Sequence, residues 1–248
     1  MRFGISALVH EINKAIELCK INDFINHIEI GIDNLYECKA VLNYIEEFKS
    51  NDISIGIHLP MELNTCENIE YIRNSWVKYI EEVKEKLNPL DIKYFNIHLG
   101  YVIKTRFDKN KNKYLDNTVD FIEKVNVPIK VFIENTYTKG GDICNIGTTV
   151  DEFEYIFNNI TRKNTEFCYD TGHNLINSDK YIYNLRGKIN LVHLSDNNGI
   201  NDSHDSIGTG KLDLEEVREL INLKPEFIVL EVRHENINES IKIVERFI

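Results

Sequence analysis

The feature that most constrains this chain is the regular alternation of short β-branched runs with longer amphipathic stretches. The short runs predict eight strands, near residues 2–6, 27–31, 53–58, 93–98, 129–134, 165–170, 188–194 and 226–231. Strict strand–helix alternation implies a parallel sheet with right-handed crossovers, and eight units in about 250 residues is the size at which such a sheet closes. An open doubly wound sheet is the alternative, but no Gly-x-Gly-x-x-Gly turn follows the first strand. We therefore predict a single (β/α)8 barrel domain over residues 1–248.

Eight helices are expected between and after the strands. Apolar residues with helical spacing mark three of them: Ile12, Ile16 and Cys19, then Leu42, Ile45 and Phe48, then Ile69, Ile72 and Trp76. Two further helices have start signals, at Asp151 after two threonines and at Asp213 before the run 214–220.

Alternation within the strands predicts which side chains enter the barrel. In the run 53–58, three isoleucines share one face, while Ser54, Gly56 and His58 share the other. The aliphatic face should meet the helices and the mixed face the barrel axis. The same phase points Glu134 inward, and it pairs Asn96 with His98 and Cys168 with Asp170.

Composition restricts the class of protein. Forty acidic against twenty-nine basic residues give a formal charge of −11, which disfavours binding to undamaged duplex DNA or to an anionic membrane. No apolar run is long enough to span a bilayer, and the first residues lack the features of a secretion signal. Five cysteines without a C-x-x-C pair argue against disulfides and a thiolate zinc site, so we expect a cytoplasmic location.

Ionisable side chains recur at predicted strand ends or in the loops just beyond them. These residues are His58, His98, Glu134, Asp170, His173, His193, Asp202, His204 and Glu231. Because the carboxyl ends of barrel strands meet at one mouth, the nine groups should be neighbours, and clustered carboxylates need a counter-charge. Imidazole and carboxylate without thiolate suit Zn²⁺, Mn²⁺ or Fe²⁺, and nine ligands exceed the needs of one ion, so two or three Zn²⁺ ions are expected. A lone strand-end histidine is more often hydrogen-bonded than ligating, and His10, His27 and His234 are left to such roles.

Short motifs on these strands carry a resemblance to a known family. They are His-Leu-Pro at 58–60, His-Leu-Gly at 98–100, Glu-Asn-Thr at 134–136, Asp-Thr-Gly-His at 170–173, His-Leu-Ser-Asp at 193–196, Asp-Ser-His at 202–204, and Glu231. In this order they resemble the xylose-isomerase-like barrel superfamily and, within it, AP endonuclease family 2, typified by endonuclease IV.

The resemblance implies three zinc sites. The first would be held by His58, His98 and Glu134. Glu134 would bridge to the second, which would also be held by Asp170, His193 and Glu231. The third would be held by His173, Asp202 and His204. Related sugar isomerases and epimerases rely on one ion, at the four-ligand site, with Glu134 and Glu231 as acid and base.

The chain also departs from the DNA-repair members of that family. They carry an aromatic residue soon after His-x-Pro, where this chain has Met61, and an arginine-bearing loop after the second strand. Here that loop, residues 31–36, is Gly-Ile-Asp-Asn-Leu-Tyr and contains no base.

Three functions follow in order of preference. The first is a metal-dependent hydrolase of phosphoesters without the DNA-reading loops; the second is a sugar or sugar-phosphate isomerase or epimerase. The third is a non-catalytic metal- or sugar-binding barrel. Lys104 and Arg106, in a basic stretch after the fourth strand, and Asp196 are assigned to binding a small phosphorylated or sugar substrate. The substrate and the oligomeric state stay open.

Overall fold

Eight parallel strands close into a barrel in the computed structural model, which describes residues 1–248. The barrel strands are β1 (Arg2–Leu8), β2 (Ile25–Gly31), β3 (Ser54–His58), β4 (Ile92–Ile97), β6 (Lys130–Glu134), β8 (Thr165–Asp170), β9 (Ile189–Leu194) and β10 (Phe227–Leu230). Each pairs with the next barrel strand along the chain, and β1 pairs with β10, so the sheet has no free edge. The predicted (β/α)8 barrel is confirmed.

Two further strands were not expected from the sequence. They are β5 (Tyr101–Ile103) and β7 (Ile143–Asn145), which form a small antiparallel sheet. Val102 and Cys144, which are opposite each other in this pair, are buried. Because β5 follows β4 and β7 follows β6, the small sheet joins two neighbouring loops at the mouth where the barrel strands end.

Ten α-helices cover the barrel where eight were predicted. They are α1 (Ile12–Ile21), α2 (Glu37–Leu42), α3 (Ile45–Ser50), α4 (Glu70–Lys86), α5 (Lys104–Lys124), α6 (Val150–Asn159), α7 (Thr171–Ile176), α8 (Tyr181–Asn184), α9 (Leu214–Asn222) and α10 (Ile237–Val244). Short 3₁₀ turns occupy Val9–Glu11 and Glu245–Phe247. The excess arises because two crossovers are each divided into a pair of short helices, α2 with α3 and α7 with α8.

The predictions for the helices are confirmed in part. In α4 the expected apolar positions Ile69 and Ile72 are exposed, and the buried face is formed further along by Val77, Ile80 and Val83. That pattern failed because Ile69 precedes the helix and three apolar residues do not fix its phase. The start signal at Asp213 is confirmed, since its carboxylate accepts the Glu215 N–H at 2.9 Å.

The predicted strand phase is also confirmed. Inward-pointing side chains form a cluster of their own inside the barrel: Tyr94, Phe132, Cys168, Leu191, Phe227 and Val229. Outward aliphatic residues such as Ile55, Ile57, Val131 and Ile133 belong to the larger core beneath the helices. The barrel axis is therefore filled below the mouth, and polar inward residues of the last layer face the mouth itself. None of the helices combines the length and the apolar character needed to cross a membrane.

Candidate metal centre

The barrel brings the nine predicted ligands into one connected group at its carboxyl-terminal mouth. His58, Glu134 and Asp170 end their strands, and His193 is the penultimate residue of β9. His98 and Glu231 directly follow β4 and β10, His173 lies in the first turn of α7, and Asp202 and His204 lie in the loop after β9. Parallel strands in a closed sheet must end at the same side, and this explains the convergence.

Glu134 occupies the centre of the group and is completely buried. Its Oε2 lies 3.3 Å from His58 Nε2, and its Oε1 lies 3.4 Å from His98 Nε2. Ligand atoms of these three residues lie within 4.8 Å of one another, a spacing that could hold a metal ion.

Glu134 also belongs to a second group, with Asp170, His193 and Glu231, whose ligand atoms likewise lie within 4.8 Å of one another. His193 Nδ1 lies 2.9 Å from Glu231 Oε2 and 3.6 Å from Glu134 Oε2. One carboxylate is thus shared by two potential ion sites.

A third group surrounds Asp202. Its Oδ2 lies 3.2 Å from His173 Nε2 and 3.3 Å from His204 Nε2. His204 has a positive φ of 48°, a conformation that few residues other than glycine adopt. The backbone here is strained, as is frequent where a side chain must be aimed at a functional site.

Three histidines keep one ring nitrogen free for an ion because the other is held by a main-chain carbonyl. The Nδ1 atoms of His58, His173 and His204 lie 2.8 Å from the carbonyl oxygens of Leu59, Asn135 and Glu231, respectively. Ligating histidines in metalloproteins usually donate their second ring N–H in this way, which fixes the tautomer. The Nε2 atoms that remain point toward the carboxylates described above.

Unpaired polar atoms fit the same interpretation. Glu134 Oε1 and Asp170 Oδ2 are buried without a hydrogen-bond partner. Such atoms are costly in a protein interior unless an ion or water satisfies them. No lysine or arginine forms an ion pair with the four carboxylates, so bound cations would supply the missing positive charge.

The carboxylates and imidazoles of the cluster shift one another's pKa values. Burial opposes ionisation of Glu134, but the imidazoles of His98 and His193 hold its pKa well below the ordinary value. Burial raises the pKa of Asp170 well above its ordinary value, and the nearby Glu231 and Glu134 carboxylates add to that rise. Burial opposes protonation of His58, but Glu134 raises its pKa to about 9. The cluster therefore retains protons in place of the cations that its charge requires.

Three residues that were not predicted as site residues also contact the cluster, although Asn96 and Cys168 were predicted to point inward. Glu29 on β2 lies 3.0 Å from His193 Nε2, and Asn96 donates a hydrogen bond to Glu134 Oε2 at 2.5 Å. Cys168 lies close to Glu134 and His193, but burial raises its pKa well above the ordinary value and keeps it a neutral thiol. Glu29 could have been found, since it shares the inward phase of its strand with His27.

The basic residues assigned to the substrate lie apart from the cluster. Lys104 and Arg106 are in the first turn of α5, and neither forms a hydrogen bond or ion pair with any of the nine residues. Arg106 lines a small cavity with Asn64, Tyr101 and Tyr114. Their role in substrate binding stays a prediction.

Asp196 is buried and shapes the loop that carries Asp202 and His204. Its two carboxylate oxygens accept main-chain N–H groups of Asn197, Gly208, Gly210 and Leu212 at 2.8–3.0 Å. Its assignment to substrate binding is still a prediction, and in this structure its carboxylate organises the loop.

An open cavity of about 550 Å³ adjoins the cluster on the side of β1, β2 and β10. Three of the nine residues line it, namely His58, His204 and Glu231. Lys14 and Arg233 bring positive charge to its wall, which Glu11, Glu29 and Glu235 also line. His234, whose side chain is only 10% exposed, also lines it, and its Nε2 lies 3.4 Å from Glu11 Oε2. The cavity has the size of a small-molecule site.

Comparisons with known proteins agree with this fold. A "Probable endonuclease 4" of Clostridium beijerinckii is 27% identical over 75% of this chain and 71% of its own. The structure of a "D-tagatose 3-epimerase-like protein" is 25% identical, with a TM-score of 0.82 over 99% of this chain and 95% of the other. Endonuclease IV from Thermus thermophilus shares the fold at 16% identity, with a TM-score of 0.68 over 99% of this chain and 100% of the other. The family described as xylose isomerase-like TIM barrel matches residues 14–246, and the chain therefore belongs to that family.

Proposed function

We propose that this protein is a divalent-metal-dependent hydrolase of phosphoesters that acts on a small phosphorylated substrate with two or three Zn²⁺ ions, or Mn²⁺ or Fe²⁺ in their place. The observation that carries the proposal is the position of Glu134 in both groups of ligand atoms. A shared carboxylate is how proteins hold two ions close together, and such pairs act on phosphoesters. When bound, these ions supply Lewis acidity that makes water a nucleophile near neutral pH and offsets negative charge on the phosphate.

Each ion would be held by a different set of residues. His58 and His98 would hold one ion; Asp170, His193 and Glu231 the other, with Glu134 between them. His173, Asp202 and His204 would hold a third against the phosphate. The adjoining cavity would admit the substrate, and Lys14 and Arg233 on its wall would face the negative charge of the phosphate.

A second candidate is a sugar or sugar-phosphate isomerase or epimerase. The four-residue group of Glu134, Asp170, His193 and Glu231 could hold a single ion by itself. The two glutamates would then move a proton to and from a substrate carbon as base and acid. The full-length similarity to a D-tagatose 3-epimerase-like protein supports this candidate.

Metal stoichiometry separates the two candidates. We expect two or three ions per chain in the purified, zinc-loaded protein, together with hydrolysis of phosphodiesters, abasic-site DNA or phosphorylated sugars in a substrate screen. One ion per chain, accompanied by epimerisation of a ketose or its phosphate, would favour the isomerase instead.

Glu134→Gln should lower metal content by at least one ion and reduce hydrolysis by more than about a hundredfold, because it removes a ligand common to two sites. Metal analysis and initial rates measure the two effects. The matched control is Glu152→Gln, since Glu152 is also buried but only caps main-chain N–H groups of Gly147 and Thr148 and pairs with Lys111. Unchanged metal content in Glu134→Gln would contradict the bridging role.

A further inference from the structure

A line of polar side chains runs through the otherwise apolar interior of the barrel to one of the proposed ligands. His27 Nε2 lies 2.8 Å from the Tyr94 hydroxyl, which donates to Glu29 Oε2 at 2.7 Å. Glu29 Oε1 lies 3.0 Å from His193 Nε2. All four side chains are at most 1% exposed. Buried charge is costly, so a carboxylate in this position needs each of these partners.

The chemistry of the groups gives every hydrogen bond one direction. A carboxylate only accepts, so both Tyr94 O–H and His193 Nε2–H donate to Glu29. The Tyr94 oxygen then accepts from His27 Nε2–H. His27 Nδ1 is left to accept from the Ser54 hydroxyl, which lies 2.8 Å away. These directions assign one proton each to the Ser54 hydroxyl, His27 Nε2, the Tyr94 hydroxyl and His193 Nε2.

Two glycines make room for this line. A Cβ atom at Gly56 would lie 2.3 Å from the Tyr94 ring, and one at Gly4 would lie 2.7 Å from the His27 ring. Both distances are far shorter than any ordinary contact. The two strands beside the line therefore lack side chains where its two rings pack.

We propose that Glu29 is a positioning residue that fixes the tautomer and orientation of His193. With Nε2–H donated to Glu29, Nδ1 is the free nitrogen, and it faces Glu231, Glu134 and Asp170 at 2.9, 3.6 and 3.9 Å. Tyr94 and His27 keep Glu29 in place from the opposite side. The inference rests on the metal dependence proposed above and adds a residue that would touch no ion.

Glu29 differs from the partners that hold three of the other proposed ligand histidines. His58, His173 and His204 donate to neutral main-chain carbonyls, whereas His193 donates to a carboxylate. A carboxylate makes the imidazole more basic and a stronger ligand, and loss of such a partner usually costs about 10–100-fold in metal affinity. The site held by His193 should therefore depend on Glu29, and the site held by His173, Asp202 and His204 should not.

The test combines Zn²⁺ affinity with the state of the His193 ring. Glu29→Gln keeps the shape of the side chain but loses its charge. Tyr94→Phe removes the hydroxyl that donates to Glu29 and accepts from His27. Glu152→Gln is again the buried control. By competition with a chromophoric chelator, we expect one site to weaken about 10–100-fold in Glu29→Gln and less in Tyr94→Phe. Nitrogen-15 correlated NMR should show a hydrogen-bonded, downfield proton on His193 Nε2, in metal-free and in zinc-loaded protein, that shifts upfield in Glu29→Gln.

The outcomes are distinguishable from failure of the proposed function. Affinity equal to wild type in Glu29→Gln, or a proton on His193 Nδ1 with zinc at Nε2, would overturn the role of Glu29 and leave the hydrolase proposal intact. If the wild-type protein took up no metal, the proposed function would fail, while the Nε2 proton signal would still decide whether Glu29 orients the ring.

Discussion

At the scale of single residues, a hydrogen bond to one ring nitrogen orients four of the five histidines at the mouth of the barrel. The main-chain carbonyls beside His58, His173 and His204 leave Nε2 free, and Glu29 leaves Nδ1 of His193 free. The orientation of these four rings is therefore set by the protein's own hydrogen bonds, as it is for ligating histidines in metalloproteins.

His204→Asn tests the third group in isolation. Asparagine tolerates the positive φ at this position but lacks the imidazole. We expect the variant to lose one ion per chain and to keep the ions at Glu134, because His204 contacts only Asp202 among the carboxylate side chains. Metal analysis measures the loss, and hydrolysis should fall while any single-ion epimerase activity persists. An unchanged ion count would remove the third site from the proposal.

His27 gives a prediction about stability against pH. Burial and the charge of Arg2 lower its pKa from 6.5 to about 3, so between those values the unfolded chain binds a proton that the folded chain does not. The stability contributed by neutral His27 is present above pH 6.5 and is lost as pH falls toward 3. Relative to His27→Phe, metal-free wild type should lose about 2 kcal/mol between pH 7.5 and 5. Urea unfolding at the two pH values measures this difference, and parallel pH dependence in the two proteins would contradict it.

The sequence predicted the nine site residues through their positions at strand ends, but it did not predict Glu29 or Asn96. Eight of the nine end their strands or follow them, and His193 is next to the last residue of β9, where a parallel barrel exposes its functional groups. Glu29 lies inside β2, and its neighbours Tyr94 and His193 come from strands far along the chain. Glu29, Tyr94 and His193 become adjacent only when the barrel closes.

At the scale of elements, the strands were predictable to within two residues because alternation and β-branching act locally. The β5–β7 sheet was not, because each strand has only three residues and pairs with a loop neighbour remote in sequence. The buried face of α4 was also predicted wrongly, because it includes the charged residue Arg73, which interrupts the apolar pattern. Arg73 is buried and pairs with Asp120 at 2.8 Å.

The packing of β3 against β4 is tested by Gly56→Ala. The added methyl group would overlap the Tyr94 ring inside the filled barrel, and overpacking of this kind costs about 1–3 kcal/mol. Gly187→Ala is the control, because no atom lies within 4 Å of a Cβ at that position. Thermal unfolding should show a clear fall in Tm only for Gly56→Ala. Equal Tm values for the two variants would mean that the interior is not closely packed there.

At the scale of the whole molecule, a net charge of −11 and the loop at 31–36, which contains no base, argue against nucleic-acid binding. We expect negligible affinity for undamaged duplex DNA in a filter-binding assay at physiological salt. The same assay with zinc-loaded and chelator-treated protein separates binding through ions from binding through the surface. Tight binding in both would contradict the preference for a small substrate.

The pairing of β1 with β10 has one more consequence. Glu231 directly follows the strand that completes the ring, and it contributes to the same centre as His58 on β3. A polypeptide that ends before residue 227 therefore has an open sheet and an incomplete set of donors, however well its earlier units form. Binding of all the proposed ions would therefore require a complete chain and a closed barrel. Incompletely synthesised chains would be inactive rather than weakly active.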